Sequence, residues 1–410
     1  MEHITDMFSK INKYVLIGGL ILTGLLVMQF HNVFYHPPER GFDATGHMAY
    51  ITYVQRLHAI PTAAEDWEFY QPPLYYLLTS LMPNLVFVKI FGVLAYLSIL
   101  VAGYLLYRHY FKSLETALLG SLVVSTFPVL LYMSISIGNE FFSTTLITIS
   151  LVYYLLHRKL TDKSTIILGI LLAASLAAKA TSLVLIAAIG IDQLLLSKTW
   201  HKKLIPLTVL MIITIGLGGG YYIRNFMIYK NPLITPDKLP ELFFFKQQVV
   251  ERNFHFFTTL QGFLKPDLFQ SHHYSFLSGT YFSWFYDAHN VIVPVQEFSK
   301  TGALLVLLSI PIFVYILIGF VLTIKAFKEK DRILVIYTVM LLGSYVAYNI
   351  HLPYYSTVKG SFIMSLAVPL GYFFLRAWQK YQIKPLYLYG YILFYSFIII
   401  KNMWILDWWY

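Results

Sequence analysis

Apolar residues in this chain fall in long runs of about 16 to 23 positions separated by short polar breaks. Runs of that length suit helices that cross a hydrocarbon core of roughly 30 Å, and they lack the alternating pattern of an outer-membrane barrel. The pattern predicts eleven spans, near 14–31, 85–107, 116–134, 141–157, 165–179, 181–197, 205–222, 302–324, 333–350, 362–377 and 386–404. The expectation is an all-α polytopic membrane protein, one transmembrane domain over 1–410, with two long loops at 32–84 and 223–301. No small-residue cleavage site accompanies the apolar stretch from Val15 to Phe30, so it reads as a retained first helix.

The pattern changes inside the first loop. From Asp43 to His58 the apolar residues Met48, Ile51, Val54 and Leu57 recur every three positions, which predicts an amphipathic helix lying at the interface. Pro61 ends it, and Pro72 and Pro73 suit the first turn of a second short helix, LYYLLTSLM, which Pro83 closes. The loop also gathers acids: Asp43, Glu65, Asp66 and Glu68, with His47 among them. Ionisable groups beside a membrane are costly unless solvated or used, so this loop is the first place to look for chemistry. For Asp43 the bland alternative is a helix cap, where a carboxylate meets free backbone N–H groups.

Composition agrees with the pattern, since 58% of residues are hydrophobic and 12% charged, against about a quarter charged in soluble domains. The net charge of +10 does not point to nucleic acid. Its Lys and Arg sit in small clusters between apolar runs, among them Arg108 and Lys112, Arg158 to Lys163, and Lys325 to Arg332. That is the positive-inside signature, and it puts the N-terminus in the cytoplasm, the C-terminus outside and both long loops outside. The absence of cysteine rules out a disulfide framework.

Further outward-facing residues carry charge. Glu140 follows the turn SISIGN; Lys179 sits in a brief turn, where a snorkelling lysine is the bland reading. Arg224 enters the large loop as an interfacial anchor or an anion ligand, and Lys359 precedes a span. The large loop, long enough for a lid, holds His255, His272, His273, Asp287 and His289, whose spacing matches no standard metal site. Carboxylates and cations facing one side of an apolar bundle suit transfer from an anionic lipid. The cations would hold a phosphate leaving group, and a carboxylate would act as base on an acceptor hydroxyl. A transporter or flippase of a lipid-linked glycan would instead place ionisable groups within its spans, and a membrane scaffold would need neither.

The residues also carry a resemblance. Phe42-Asp43 with His47 four positions on, followed by Gln71-Pro72-Pro73-Leu74-Tyr75-Tyr76, resembles the first outer loop of GT-C class glycosyltransferases. The likeness is to the protein O-mannosyltransferase and aminoarabinose (lipid A) transferase-like group. Lys89, Asn139-Glu140, Lys179, Arg224-Asn225 with Asn231-Pro232, and Lys359-Gly360-Ser361-Phe362 follow in the family's order, so the resemblance spans roughly 14–375. It implies a GT-C-like bundle and an inverting glycosyltransferase that takes one hexosyl or pentosyl unit from a polyprenyl-phosphate sugar donor. The acceptor would be a lipid, glycan or protein at the outer face of a prokaryotic cell membrane. It further implies Asp43 as base, Glu140 as a second acid, Arg224 and Lys359 at the donor phosphate, and His47, Glu68, Gln71 and Tyr75 as substrate contacts. An acid near the proline pair would help bind phosphate or a divalent cation. The chain departs from many relatives in having Asp43-Ala44 where they have an acidic pair, and Ser361-Phe362 where they have Arg-Tyr.

Overall fold

The computed structural model describes residues 13–196, 201–239, 248–264, 267–292 and 299–406. Every one of the eleven apolar stretches is helical within those limits. Six stretches are long and apolar enough to cross a membrane: Lys13–Tyr35, Leu85–Phe111, Lys300–Ala326, Arg332–His351, Tyr355–Tyr381 and Pro385–Met403. Two bent pairs, each a broken span or a re-entrant loop, join them: Leu114–Ser125 with Pro128–Ser134 at 63° and Leu204–Gly218 with Gly220–Tyr229 at 66°. Among the described residues, length and composition by themselves mark six to eight candidate spans, and the count of eleven is not confirmed. Helices Asn139–Leu156, Asp162–Ala178 and Ser182–Leu195 are shorter or more polar, and Asn139–Leu156 opens with Asn139 and Glu140.

The breaks are marked by local chemistry. Asn84 caps the helix at Leu85, its side chain accepting the backbone N–H of Val86 at 3.0 Å, and Thr161 forms a capping box with Ser164 ahead of Asp162–Ala178. The long helix Leu85–Phe111 is apolar all round, so it exposes Leu94, Val101 and Leu105 on one side while burying Val93, Tyr96, Ile99 and Leu106 on another. In lipid the outer side gains nothing from burial, and helices associate through close packing. Gly92 shows how close: a Cβ there would lie 1.9 Å from the Ser134 carbonyl oxygen, so the two helices cross backbone to backbone. Lys13–Tyr35 packs on Pro385–Met403, Asp162–Ala178 on His201–Gly218, and Ser299–Ala326 on Ala367–Tyr381. Lys89 is buried where Lys13–Tyr35 ends, and its ammonium donates to the carbonyls of Val33 and His36 at that helix's C-terminus.

The first loop folds much as its pattern predicts. Its amphipathic helix, α1, is Ala44–Leu57, and the short one, α2, is Leu74–Thr79, preceded by Pro73. The buried face of α1 is turned from the expected one: His47, Tyr50, Ile51 and Val54 are buried, Met48 is partly covered and Leu57 is exposed. Tyr50 stacks on Tyr76 of α2 at 3.7 Å between ring centres, and with Phe69, Tyr75, Val88 and Ile137 they form a small core of their own beside the main bundle. This satellite core positions the acids of the loop.

The second long loop falls partly outside the described residues. Where described, it carries the short helices Phe254–Thr258, Gln261–Leu264 and Ser271–Tyr274 and the longer Phe276–Phe285. Residues 248–252 lie against 353–357: Val250 N–H donates to the Pro353 carbonyl at 2.7 Å, and Arg252 donates to Thr357 Oγ at 3.3 Å.

Candidate active site

Asp43 is the residue immediately before α1, as expected, but it does not act as a cap. Its backbone is left-handed (φ 59°) and its carboxylate accepts no hydrogen bond from the helix N-terminus. An aspartate tolerates that conformation better than most residues. The carboxylate is instead turned into a cavity of about 540 Å³, 31% of the side chain exposed, and Lys359 Nζ lies 3.9 Å from its Oδ2. Lys359 is itself buried, its ammonium 4.0 Å from the centre of the Phe42 ring and 5.0 Å from that of Phe362. A cation on aromatic faces is held in place without being neutralised, which leaves it available to an anion.

The other acids of the first loop divide by role. Glu65 Oε1 accepts the N–H and hydroxyl of Thr62 at 2.7 and 2.8 Å, and Asp66 Oδ1 accepts the N–H of Trp67 at 2.7 Å, so both hold the turn together. Glu68 alone of the three reaches the cavity. It comes in over Gly46, where any Cβ would lie 2.6 Å from Glu68 Cγ and 2.7 Å from the Trp67 ring. Burial pushes the Glu68 carboxyl up to about 8, with the facing His47 opposing that shift.

Behind this wall runs a continuous polar network. Gln71 Nε2 donates to Glu68 Oε2 at 3.0 Å, and Asn139 Nδ2 donates to Gln71 Oε1 at 3.0 Å. Lys179 Nζ donates to Asn139 Oδ1 at 3.1 Å and to Glu140 Oε1 at 2.7 Å. His47, fully buried, sits with Nε2 3.6 Å from Glu140 Oε2 and Nδ1 3.9 Å from Glu68 Oε2, and Nδ1 hydrogen-bonds the Tyr76 hydroxyl at 2.8 Å. Burial opposes a charged imidazole, but the hydrogen bond and charge of Glu140, joined by Glu68 when it is ionised, outweigh it and hold His47 above its ordinary value.

The structure brings together most, though not all, of the residues expected from sequence. Asp43, Glu68, Gln71, Glu140 and Lys359 line the cavity. His47 and Tyr75 stand outside its lining: Tyr75 is buried, and its hydroxyl accepts the Gly138 N–H at 3.2 Å. Arg224 is also outside, donating through Nη1 to the Pro61 carbonyl at 2.9 Å, while Tyr221, Tyr222 and Asn225 of the same helix face the cavity. Lys179, whose bland reading was a snorkelling side chain, lines it and is paired with Glu140. The signal was a lone lysine in the apolar junction AAKATSLVL. The tyrosines 345, 348 and 354 gave no signal in a chain with 33 of them.

The remaining lining includes Asp237 and the hydroxyls of Thr181, Thr235, Ser344, Ser356 and Thr357, and an apolar part of it runs inward. Leu183 and Val184 lie just below Lys179, and on Arg332–His351 the lining extends from Tyr348 back to Leu341 and on to Leu352 beyond the helix end. At 1.5 Å per residue, the seven steps from Leu341 to Tyr348 correspond to about 10 Å along that helix. A polar mouth with an apolar shaft suits an amphiphile whose head is anionic and whose tail lies among helices.

The histidines of the second loop are engaged with one another and with the backbone. His272 and His289 rings are 4.5 Å apart, His289 Nε2 lies 3.1 Å from the Val358 carbonyl, and Asp287 closes a turn by accepting the N–H groups of Val291 and Ile292 at 2.9 and 2.6 Å. Among the described residues no group of three or more His, Asp or Glu side chains is arranged to hold a metal ion.

No family model matches the chain, and no curated protein matches it by sequence. Solved structures do. ArnT from Cupriavidus metallidurans in the apo state superposes over 88% of this chain with a TM-score of 0.56 at 12% identity. The same protein bound to undecaprenyl phosphate superposes over 88% with a TM-score of 0.52, also at 12% identity. This chain spans 59% and 60% of the two ArnT chains, so it corresponds to a little over half of their length. The all-helical membrane bundle expected from sequence is thus the fold found, and its arrangement of helices is similar to that of ArnT.

Proposed function

We propose that this protein is a glycosyltransferase that moves one sugar from a polyprenyl-phosphate donor to a hydroxyl of a lipid, glycan or protein acceptor, with inversion. The observation that carries the reading is the pairing of Asp43 with Lys359 at the mouth of an apolar-walled cavity. ArnT, which shares the fold, has been crystallised with undecaprenyl phosphate, and that supports a polyprenyl-phosphate donor here. In this mechanism the polyprenyl tail lies along Leu183, Val184 and Leu341, and the phosphate sits by Lys359. The Asp43 carboxylate takes the proton from the acceptor hydroxyl, whose oxygen forms the new bond to the anomeric carbon on the face opposite the phosphate. The bond from that carbon to the phosphate oxygen breaks, and the electron pair leaves on polyprenyl phosphate, whose added charge Lys359 stabilises.

The Lys179–Glu140 pair and Glu68 shape the field around that step. A neutral Glu68 offers a proton donor to the sugar or phosphate, and a charged Glu140 keeps Lys179 aligned along the wall. Arg224 reaches the donor phosphate only if it leaves Pro61. The positive-inside charge pattern supports an active site on the non-cytoplasmic face of the membrane. The test is mass spectrometry of lipids that co-purify with the protein in nanodiscs, wild type beside Lys359→Met. A polyprenyl phosphate or its sugar ester, depleted in the variant, supports the donor site. Bulk phospholipid alone, unchanged by the substitution, overturns it.

A further inference from the structure

The opposite end of the bundle holds a second cavity, of about 610 Å³, built from three connections far apart in sequence. His109 and Lys112 come from the end of Leu85–Phe111, His157, Arg158 and Lys159 from the end of Asn139–Leu156, and Lys330 from the link before Arg332–His351. The link is pinned in place by Tyr110, whose hydroxyl donates to the Lys330 carbonyl and whose ring lies 5.7 Å from the Lys330 ammonium. Among the described residues no carboxylate lines this cavity. Of the nearby acids, Asp331 accepts the Tyr372 hydroxyl at 2.8 Å, buried Asp192 is shared between Arg158 of the lining and Arg332, and Asp162 and Glu329 adjoin lining residues in the chain without lining the cavity themselves. Two guanidiniums on one carboxylate leave the inner side of the cavity positive, and Arg158 Nε is buried without a partner.

The positive-inside rule explains why lysines and arginines occur at this end, but it does not require them to converge on one concavity, which here takes its cations from three separate links. Leu155 and Leu156 give the same cavity an apolar side at the ends of membrane helices. We propose that this cavity binds a phosphate group at the membrane boundary, the headgroup phosphate of an anionic phospholipid, on the face opposite the Asp43 site. Lys112, Arg158, Lys159 and Lys330 would surround the phosphate while the leucines meet the first part of the acyl chains.

The test uses the full chain in nanodiscs of mixed phosphatidylglycerol and phosphatidylcholine, with retained lipid counted by native mass spectrometry. Lys112→Gln/Lys159→Gln/Lys330→Gln is compared with Lys325→Gln/Lys328→Gln/Lys384→Gln, a variant of equal charge change at exposed lysines outside the cavity. The cavity variant is expected to retain at least three-fold less phosphatidylglycerol, and the control to match wild type. If the triple variant does not fold, Lys330→Gln alone makes the same comparison. In pure phosphatidylcholine discs, a rise in unfolding temperature caused by inorganic phosphate, seen in wild type and lost in the cavity variant, would keep the phosphate site and assign it to a free anion. Equal lipid loss in cavity variant and control, or none in either, with no phosphate effect that distinguishes them, would overturn the proposal.

Discussion

Removing Lys179 gives a direct measure of how the site is held. Its ammonium lies 2.7 Å from Glu140 Oε1, with side chains 13% and 7% exposed, so both charges are largely out of water. At an effective dielectric of about 20, two unit charges at that distance attract by about 6 kcal/mol, most of which offsets their desolvation. Lys179→Met removes that attraction and the hydrogen bond to Asn139, and leaves a buried carboxylate whose remaining cationic neighbours are His47 at 3.6 Å and, acting more weakly, Lys359. Breaking one side of a buried pair typically costs about 3–5 kcal/mol, and the loss here should fall in that range. Replacing both partners, Lys179→Met/Glu140→Gln, should recover most of it, because no charge is then stranded. The assay is reversible unfolding in mixed micelles with increasing dodecyl sulfate, run as a double-mutant cycle. A single variant within about 1 kcal/mol of wild type, or a double variant no more stable than the single, would refute the reasoning.

Four further outcomes follow from the same geometry. Asp43→Asn should lower sugar transfer by about 10²–10⁴-fold, the usual contribution of a general base, while donor affinity measured by lipid binding stays within a few-fold; intact transfer would remove Asp43 from the role of base. Lys359→Met should weaken donor binding at least ten-fold and Arg224→Ala less than three-fold, because Lys359 faces the cavity and Arg224 is held on Pro61; titration of both variants with a polyprenyl phosphate decides between them, and the reverse order would make Arg224 the phosphate ligand. Gly46→Ala should displace Trp67 and Glu68 and destabilise the protein by about 1–3 kcal/mol, read from its unfolding midpoint. Because the Glu68 carboxyl is raised to about 8 from an ordinary 4.5, the folded state binds its proton more tightly than the unfolded chain does. That contribution to stability is full below pH 4.5 and is lost as pH rises towards 8, with a slope of at most about 1.4 kcal/mol per pH unit. His47, also raised, acts in the same direction above its ordinary value of 6.5, so unfolding free energy between pH 5 and 8 should fall less steeply in Glu68→Gln than in wild type.

The sequence by itself determined the helices, because an apolar run long enough to span a bilayer leaves its backbone little alternative to a helix. It also determined the amphipathic helix after Asp43, and charge beside lipid marked Asp43, Glu68, Glu140 and Lys359, which line one cavity, along with His47, Glu65, Asp66 and Arg224, which do not; Gln71 and Tyr75 were marked only by the family resemblance, and of these Gln71 alone lines the cavity. Tertiary structure decided how many of those helices run straight across, because the bends after Ser125 and at Gly218–Gly220 depend on the partners each half meets. It decided which way side chains turn. The face of α1 follows from the Tyr50–Tyr76 stack, a contact between residues 26 positions apart that no local period encodes. It separated Glu68, passed over Gly46 into the cavity, from Glu65 and Asp66, which close the turn beside it. It also set Lys179 on Glu140 and Arg224 on Pro61, where position along the chain had left a snorkelling lysine and an open choice between anchor and anion ligand. A periodic pattern reports the environment of a helix face, whereas the partner of a single charge is set by the three-dimensional meeting of segments that the pattern leaves free.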